Sequence, residues 1–122
     1  MEEIFPNLFI GSVGESAMVR GRPGWAVVHA EAGLHRRYVA SHRLADRDAI
    51  ATPDGTELFL CFEDARLAGH VNTRCIRPAI EFIHRHLAAG RRVLVDCITG
   101  LSRSPALVLL YLLRFTDVLP RT

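Results

Sequence analysis

The stretch "VLVDCITGLSRSPALVLLYLL", residues 93–113, decides how this chain folds. It begins with an apolar run typical of a strand that is buried on both faces. It ends with an apolar run of helical length, in which Pro105 is tolerated because it falls in the first turn. The residues between these runs are more polar than a strand end and a single helix cap require. The order strand, polar loop, helix predicts an α/β unit that binds a ligand at the carboxyl end of the strand.

The polar loop has the chemistry of an anion site. It follows a CX5R pattern from Cys97 to Arg103, and Ser104 comes next. Backbone N–H groups of a loop entering a helix form an anion-binding nest, which the helix dipole reinforces. Gly100 lets the backbone approach closely, and the planar fork of Arg103 grips two oxygens, so a tetrahedral phosphate fits. The predicted phosphate-binding residues are Ile98, Thr99, Gly100, Leu101, Ser102 and Arg103.

Cys97 is the predicted nucleophile of this loop. The N–H groups and Arg103 favour its thiolate, and cysteines at helix N-termini can have a pKa below about 7. Attack on phosphorus forms a phosphocysteine and divides hydrolysis into two displacements. The leaving oxygen then needs a proton from an acid on another loop. The simpler alternative is an inert buried cysteine, but burial alone does not require Gly100, Ser102 and Arg103 at these offsets.

Length and composition limit the class of protein. The chain has 122 residues, 49% of them hydrophobic and 23% charged, which predicts one globular domain over residues 1–122. A net charge of +2 gives no reason to expect nucleic acid as a partner. The opening "MEEIFPNLFIGS" is unlike a secretory signal, and no apolar stretch is long enough to span a membrane. We therefore expect a cytoplasmic protein without membrane association. The three cysteines match neither a disulfide framework nor a zinc site.

The rest of the chain predicts the elements around this unit. "NLFIGS" (7–12) and "WAVVHA" (25–30) are predicted strands, and residues 31–47 a loop with one helical turn at most. "AIATPDGTELFLCFE" (49–63) predicts a hairpin around a Pro-Asp-Gly turn. An amphipathic helix over residues 73–89, with His84 and His86 exposed, ends at Gly90. A strand over 92–96 and a helix over 104–115 complete the prediction.

On these residues the chain resembles the cysteine-dependent protein tyrosine phosphatases, specifically the small dual-specificity phosphatases. The resemblance rests on "NLFIGS", on "AIEFIHRHLAAGRRVLVDC" (79–97) and on "CITGLSRSPALVLLYLL" (97–113). It implies a three-layer α/β fold with a central, mostly parallel sheet flanked by helices. The implied activity is hydrolysis of phosphotyrosine in proteins, with phosphoserine and phosphothreonine as further substrates. The family needs no metal or other cofactor.

The resemblance also implies roles for individual residues. Asp64 in "LFLCFEDARLAG" (58–69) matches the family's aspartate upstream of the nucleophile, which protonates the leaving oxygen and then activates water. Glu63 is the alternative acid. Ser104 helps the thiolate to leave, and Arg103 holds the transferring phosphoryl group in both steps. The variable loop positions carry no Lys or Arg, which favours a phosphoprotein over an inositol lipid as substrate.

Two features depart from the family pattern. Asp96 stands where members carry His before the nucleophile, and an ionised carboxylate close to Cys97 opposes its thiolate. Alternatively, Asp96 points away from the sulfur and accepts hydrogen bonds from the backbone or from an arginine. The chain stops at Thr122, soon after the predicted 104–115 helix, where members usually continue with further helices. The apolar surface of that helix is then exposed, and a homodimer, a truncated product or a minimal fold are the expected alternatives.

Three functions are compatible with these residues. The first is an active protein phosphatase that uses Cys97, Arg103 and Asp64. The second is a catalytically impaired pseudophosphatase that binds phosphorylated ligands, which Asp96 supports. The third is a rhodanese-like or arsenate-reducing enzyme with an anion-cradled cysteine. It is the weakest of the three, because arsenate reducers generally need a resolving cysteine.

Overall fold

The computed structural model describes residues 1–61 and 73–97. Six strands and three α-helices make up this part of the chain. The strands are β1 (Glu2–Phe5), β2 (Leu8–Ser12), β3 (Trp25–His29), β4 (Ala49–Ala51), β5 (Glu57–Leu60) and β6 (Arg92–Cys97). The helices are α1 (Val13–Val19), α2 (Ala32–Ser41) and α3 (Ile76–Ala88), the last preceded by a 3-10 turn at Thr73–Cys75. Among these helices, none is long and apolar enough to cross a membrane.

The strands form one sheet in the order β1-β2-β6-β3-β5-β4. The four inner strands, β2, β6, β3 and β5, run parallel to one another. The edge strands β1 and β4 are short and antiparallel, each paired with the strand next to it along the chain. The sheet is therefore mostly parallel, as predicted, and β6 lies between β2 and β3 at its centre.

Helices cover both faces of the sheet. On one face, α3 buries Ala79, Phe82 and Ile83 against a core that includes Val93 and Val95 of β6. On the other face, Val19 at the end of α1 packs with Val27 and Leu94. Tyr38 of α2 stacks on Phe59, whose chain neighbours Leu58 and Leu60 belong to the α3-side core. Because side chains alternate along a strand, α2 lies on the same face as α1. The result is the expected three-layer α/β arrangement.

Several predicted elements are confirmed. The hairpin is β4–β5, whose turn is closed by the bond from the Gly55 N–H to the Thr52 carbonyl (2.9 Å). The amphipathic helix is α3, and it is followed by Gly90 with φ +80°, a left-handed conformation that glycine adopts without a Cβ penalty. The strand predicted over 92–96 is β6. The helix predicted over 104–115 lies outside the described residues.

Two sequence interpretations are wrong, and one helix lies where the sequence predicted no element. Residues 31–47 are not a loop with one turn: they contain α2, whose hydrophobic pattern is weak because His35 occupies a buried position. No element was predicted for Val13–Val19, which form a helix that begins with a capping box, in which Ser12 and Glu15 satisfy each other's backbone N–H groups. His86 is buried, because its ring reaches the Gly55 carbonyl (2.9 Å) under the β4–β5 turn.

Candidate active site

The carboxyl ends of the parallel strands meet at one edge of the sheet, where Cys97 ends β6. In the pairing register, Ser12 of β2 lies opposite Cys97, and His29 of β3 lies opposite Asp96. The chain turns from β2 into α1 and from β3 towards α2 at this edge. The Ala30 N–H donates to the Asp96 carbonyl (2.8 Å), which fixes the two strand ends to each other. This is the edge at which open parallel sheets bind ligands.

Asp96 is completely buried beside this edge. Its relative exposure is 0%, and its Oδ2 lies 2.8 Å from Nδ1 of His29. Among residues 1–61 and 73–97, no hydrogen-bond partner faces its Oδ1. A buried carboxylate needs a compensating positive charge or hydrogen bonds, because burial penalises the ionised form. His29 provides both.

His29 is held between two carboxylates. While Nδ1 faces Asp96, Nε2 lies 2.8 Å from Oε1 of Glu57 on β5. A neutral imidazole donates through only one ring nitrogen, whereas the protonated ring donates through both. Burial lowers the pKa of His29, but the hydrogen bonds and negative charges of Asp96 and Glu57 outweigh it, so the net pKa is raised from 6.5. Only the imidazolium form can donate to both acids at once, and the raised pKa favours that form.

Glu57 connects this buried pair to the protein surface. Its Oε1 also accepts a hydrogen bond from Nε of Arg20 (2.7 Å), just after α1. The hydrogen bond with His29 is the main reason that the pKa of Glu57 is lowered, with Arg20 adding to it against the opposing effect of burial. The exposed fraction rises along the chain of contacts, from 0% at Asp96 and 2% at His29 to 15% at Glu57 and 50% at Arg20. We call these four residues the charge chain.

Aromatic rings cover one face of the charge chain. Phe59 stacks on His29 with ring centroids 4.5 Å apart, and Tyr38 of α2 stacks on Phe59 at 4.3 Å. An aromatic face attracts a cation, so this arrangement favours the protonated ring of His29. The column of rings also restricts the imidazole to the plane in which its two nitrogens face the two acids.

The structure gives the Asp96 carboxylate a partner that the sequence interpretation did not name. The contact is with a histidine, His29, whereas the backbone or an arginine was expected. The positions of His29, Glu57 and Arg20 beside the site were not predicted from the sequence. The available signal was that His29 ends a predicted strand, but only the order and register of the sheet place it opposite Asp96.

The other predicted site residues are not all within the described structure. Cys97 is placed at the end of β6 by its backbone. Asp64, the alternative acid Glu63, the phosphate loop (98–103) and Ser104 lie outside the described residues. Their roles therefore stay predictions from the sequence.

The remaining cysteines behave differently from a nucleophile. Cys75 is buried, its thiol donates to the carbonyls of Asp48 and Cys61 (3.3 Å each), and burial raises its pKa to about 12. At neutral pH it is a thiol and a poor nucleophile. Neither Cys61 nor Cys75 forms a disulfide within residues 1–61 and 73–97, and that part of the chain contains no cluster of His, Cys, Asp and Glu arranged to hold a metal ion.

A groove of about 560 Å³ lies elsewhere, between the end of α2 and β4. Its walls include Tyr38, His42, Ile50 and Pro53, and none of the predicted catalytic residues lines it. The predicted chemistry depends on the sheet edge at Cys97, so the groove is not part of the candidate active site.

Comparison with known proteins finds phosphatases among the sequences and structures similar to this chain. The chain is 28% identical over 117 residues to dual specificity protein phosphatase 22 of Mus musculus, and 27% identical over 117 residues to that of Homo sapiens. Both alignments cover 96% of this chain. The chain is therefore similar in sequence to dual-specificity phosphatases.

These dual-specificity phosphatases are longer proteins, and the chain spans about half their length: 56% of the mouse and human proteins and 50% of the one from Xenopus tropicalis, which is 27% identical. The crystal structure of the PTP-2 phosphatase from Cydia pomonella superimposes with a TM-score of 0.56, at 23% identity, over 92% of this chain and 68% of that one. This likeness confirms the phosphatase-type fold. No protein-family profile matches the chain.

Proposed function

We propose that this chain is a protein phosphatase domain that hydrolyses phosphotyrosine, and also phosphoserine and phosphothreonine, through a phosphocysteine at Cys97. The observation that carries the proposal is the position of Cys97 at the carboxyl end of the central parallel strand, with Gly100 and Arg103 following at CX5R spacing. Relatives that are named dual-specificity phosphatases support the same class of reaction.

The proposed reaction has two displacements. In the first, the Cys97 thiolate attacks phosphorus, the bond from phosphorus to the leaving oxygen breaks, and Asp64 gives that oxygen its proton. In the second, Asp64 takes a proton from water, the hydroxide attacks phosphorus, and the sulfur leaves with help from the Ser104 hydroxyl. Arg103 and the backbone N–H groups of the loop stabilise the charge on the phosphoryl oxygens in both steps.

A pseudophosphatase that binds phosphorylated ligands is the second candidate. In the sequence, its support is Asp96, because a negative charge directly before Cys97 opposes the formation of the thiolate. The contact between Asp96 and His29 weakens that support, because a paired carboxylate opposes a neighbouring thiolate less than an isolated one does. The active enzyme is therefore the preferred proposal.

The test is hydrolysis of para-nitrophenyl phosphate by the purified chain, without metal and under reducing conditions. Turnover that is inhibited by vanadate and lost in Cys97→Ser and Arg103→Ala supports the proposal. Cys61→Ser and the exposed Arg77→Ala are the matched controls and should retain turnover. Folded protein that binds vanadate or a phosphopeptide without turnover would favour the pseudophosphatase.

Two further parts of the proposal concern the setting of the enzyme. We propose a reducing, cytoplasmic location, because the mechanism needs a free thiol at Cys97. We also propose a homodimer through the apolar surface of the helix predicted over 104–115. Sedimentation equilibrium tests the dimer, and a purely monomeric chain at micromolar concentration would contradict it.

A further inference from the structure

A buried acid immediately precedes the proposed nucleophile. Asp96 and Cys97 are consecutive residues of β6, with Cα atoms about 3.8 Å apart, and Asp96 is buried. A buried negative charge near a thiol, in surroundings that screen poorly, opposes the thiolate and raises the pKa of the thiol. Left alone, Asp96 would reduce the thiolate fraction of Cys97 at neutral pH.

The charge chain removes this disadvantage. It contains two carboxylates, Asp96 and Glu57, and two cations, His29 and Arg20, in alternating order. Each buried contact joins opposite charges at 2.8 Å, so no net charge is left next to β6. His29 is the member that touches Asp96, and it lies directly opposite Asp96 in the register.

We propose that His29 is a positioning residue of the active site: it holds the Asp96 carboxylate in a neutral buried pair, and this pair keeps the Cys97 thiol acidic. The inference rests on the proposed function, because it assumes that Cys97 is the nucleophile. The raised pKa of His29 supports it, since the ring must stay protonated at the working pH.

The described groups around His29 come from each element packed against it. Asp96 faces it from β6 and Glu57 from β5, while Arg20 acts through Glu57 from the end of α1. On the α2 side, the ring of Phe59 separates His29 from the titratable Tyr38. The charge of His29 is therefore governed mainly by the two carboxylates.

The test measures the rate of Cys97 alkylation by iodoacetamide against pH, with peptide mass spectrometry identifying the modified cysteine. Cys75 does not interfere, because its pKa is about 12. In His29→Gln, Asp96 loses its counter-charge, and the midpoint for Cys97 should move to higher pH by about one unit or more. In the double variant His29→Gln with Asp96→Asn, both charges are gone, and the midpoint should return towards that of the wild type.

This return distinguishes an electrostatic role from a merely structural one. If His29 were only structural, a second substitution in the core would add to the damage and the midpoint would not return. His86→Gln, which removes another buried imidazole away from Asp96, is the matched control and should leave the midpoint unchanged. If His29→Gln does not fold, Glu57→Gln provides the test, because Glu57 is a partly exposed member of the charge chain. This substitution lowers the pKa of His29 and should move the Cys97 midpoint in the same direction, but by less. An unchanged midpoint in folded His29→Gln, or no return in the double variant, would overturn the proposal.

The alkylation readout needs no turnover, so the two proposals fail in different ways. Without phosphatase activity in any variant, a shifted Cys97 midpoint in His29→Gln would still support the role of His29. With activity intact and the midpoint unmoved, the proposed function would stand and the role of His29 would be rejected.

Discussion

Nδ1 of His29 lies 2.8 Å from Oδ2 of Asp96, and the two residues are direct partners on adjacent parallel strands. Both side chains are buried, with 2% and 0% of their surfaces exposed. An imidazole on β3 thus contacts the residue that precedes the proposed nucleophile on β6. The stability and the reactivity of this edge of the sheet are therefore expected to depend on the same ion pair.

The two buried histidines should affect stability with opposite pH dependence. The raised pKa of His29 means that its contribution is full below about pH 6.5 and is lost as the pH rises through its folded-state pKa. Burial lowers the pKa of His86, so the neutral ring is favoured and its contribution is full above about pH 6.5 and is lost in acid. We expect His29→Gln to cost more at pH 6 than at pH 9.5, and His86→Gln to cost more at pH 8 than at pH 5.

Urea denaturation of the wild type and both variants at these pH values measures the difference. Each variant is the control for the other, since both remove a buried imidazole. Parallel pH profiles for the two variants would contradict the prediction.

Restoring histidine before the nucleophile should harm this chain rather than improve it. Asp96→His places a second imidazole against His29 in a buried site and removes the carboxylate that balances the existing cation. Breaking one partner of a buried ion pair costs about 3–5 kcal/mol of unfolding free energy. The exchanged pair, His29→Asp with Asp96→His, should recover part of that loss. Thermal and urea denaturation give both values, and a stabilised Asp96→His single variant would refute the expectation.

The role of Asp64 as the general acid can be tested with substrates whose leaving groups differ in basicity. Asp64→Asn should slow hydrolysis most for aryl and alkyl phosphates whose leaving oxygens are most basic, because those need the proton most. We expect a loss of about 10²–10⁴-fold for such substrates and a smaller one for para-nitrophenyl phosphate. Glu63→Gln is the matched control. If Glu63→Gln shows the leaving-group dependence and Asp64→Asn does not, the acid is Glu63.

The capping box at the sheet edge should contribute measurable stability. The Ser12 side chain accepts from the Glu15 N–H (3.2 Å), and the Glu15 carboxylate accepts from the Ser12 N–H (2.9 Å). Ser12→Ala should lower the free energy of unfolding by about 1 kcal/mol. Ser41→Ala, at the exposed end of α2, should change it by far less, because water can replace the contacts of its hydroxyl with the Tyr38 carbonyl (3.3 Å) and with Nδ1 of His42 (3.0 Å). Equal losses in both would show that the cap is not the cause.

Much of the fold follows from local patterns in the sequence. Short apolar and β-prone runs predicted β3, β5 and β6, and the three- and four-residue spacing of Ile76, Ala79 and Ile83 predicted α3. The hairpin turn was predictable because Gly55 supplies the positive φ (+74°) that the turn requires. These signals are carried by residues that contact each other locally or face one common core.

The remaining elements depend on tertiary contacts that a single sequence does not display. α2 buries His35, which a hydrophobic pattern counts as polar, and its Tyr38 packs on Phe59 of a distant strand. β1 is an exposed edge strand held mainly by its pairing with β2. In the candidate site, the motif predicted Cys97 and drew attention to Asp96. The partner of Asp96 depends on the sheet register and was not predictable.

The central position of β6 has a consequence for how the chain acquires its structure. In the described sheet, the pair β1–β2 and the group β3–β5–β4 are joined only through β6, which comes last among the six strands. Before β6 is synthesised, each of these two parts presents an open parallel edge, and such edges favour pairing with other chains. Closure of the sheet also requires contacts between residues far apart in sequence, which slows folding. Insertion of β6 between β2 and β3 therefore completes the sheet and places Cys97 at its edge in the same step. A nascent chain has its proposed nucleophile in position only after this step.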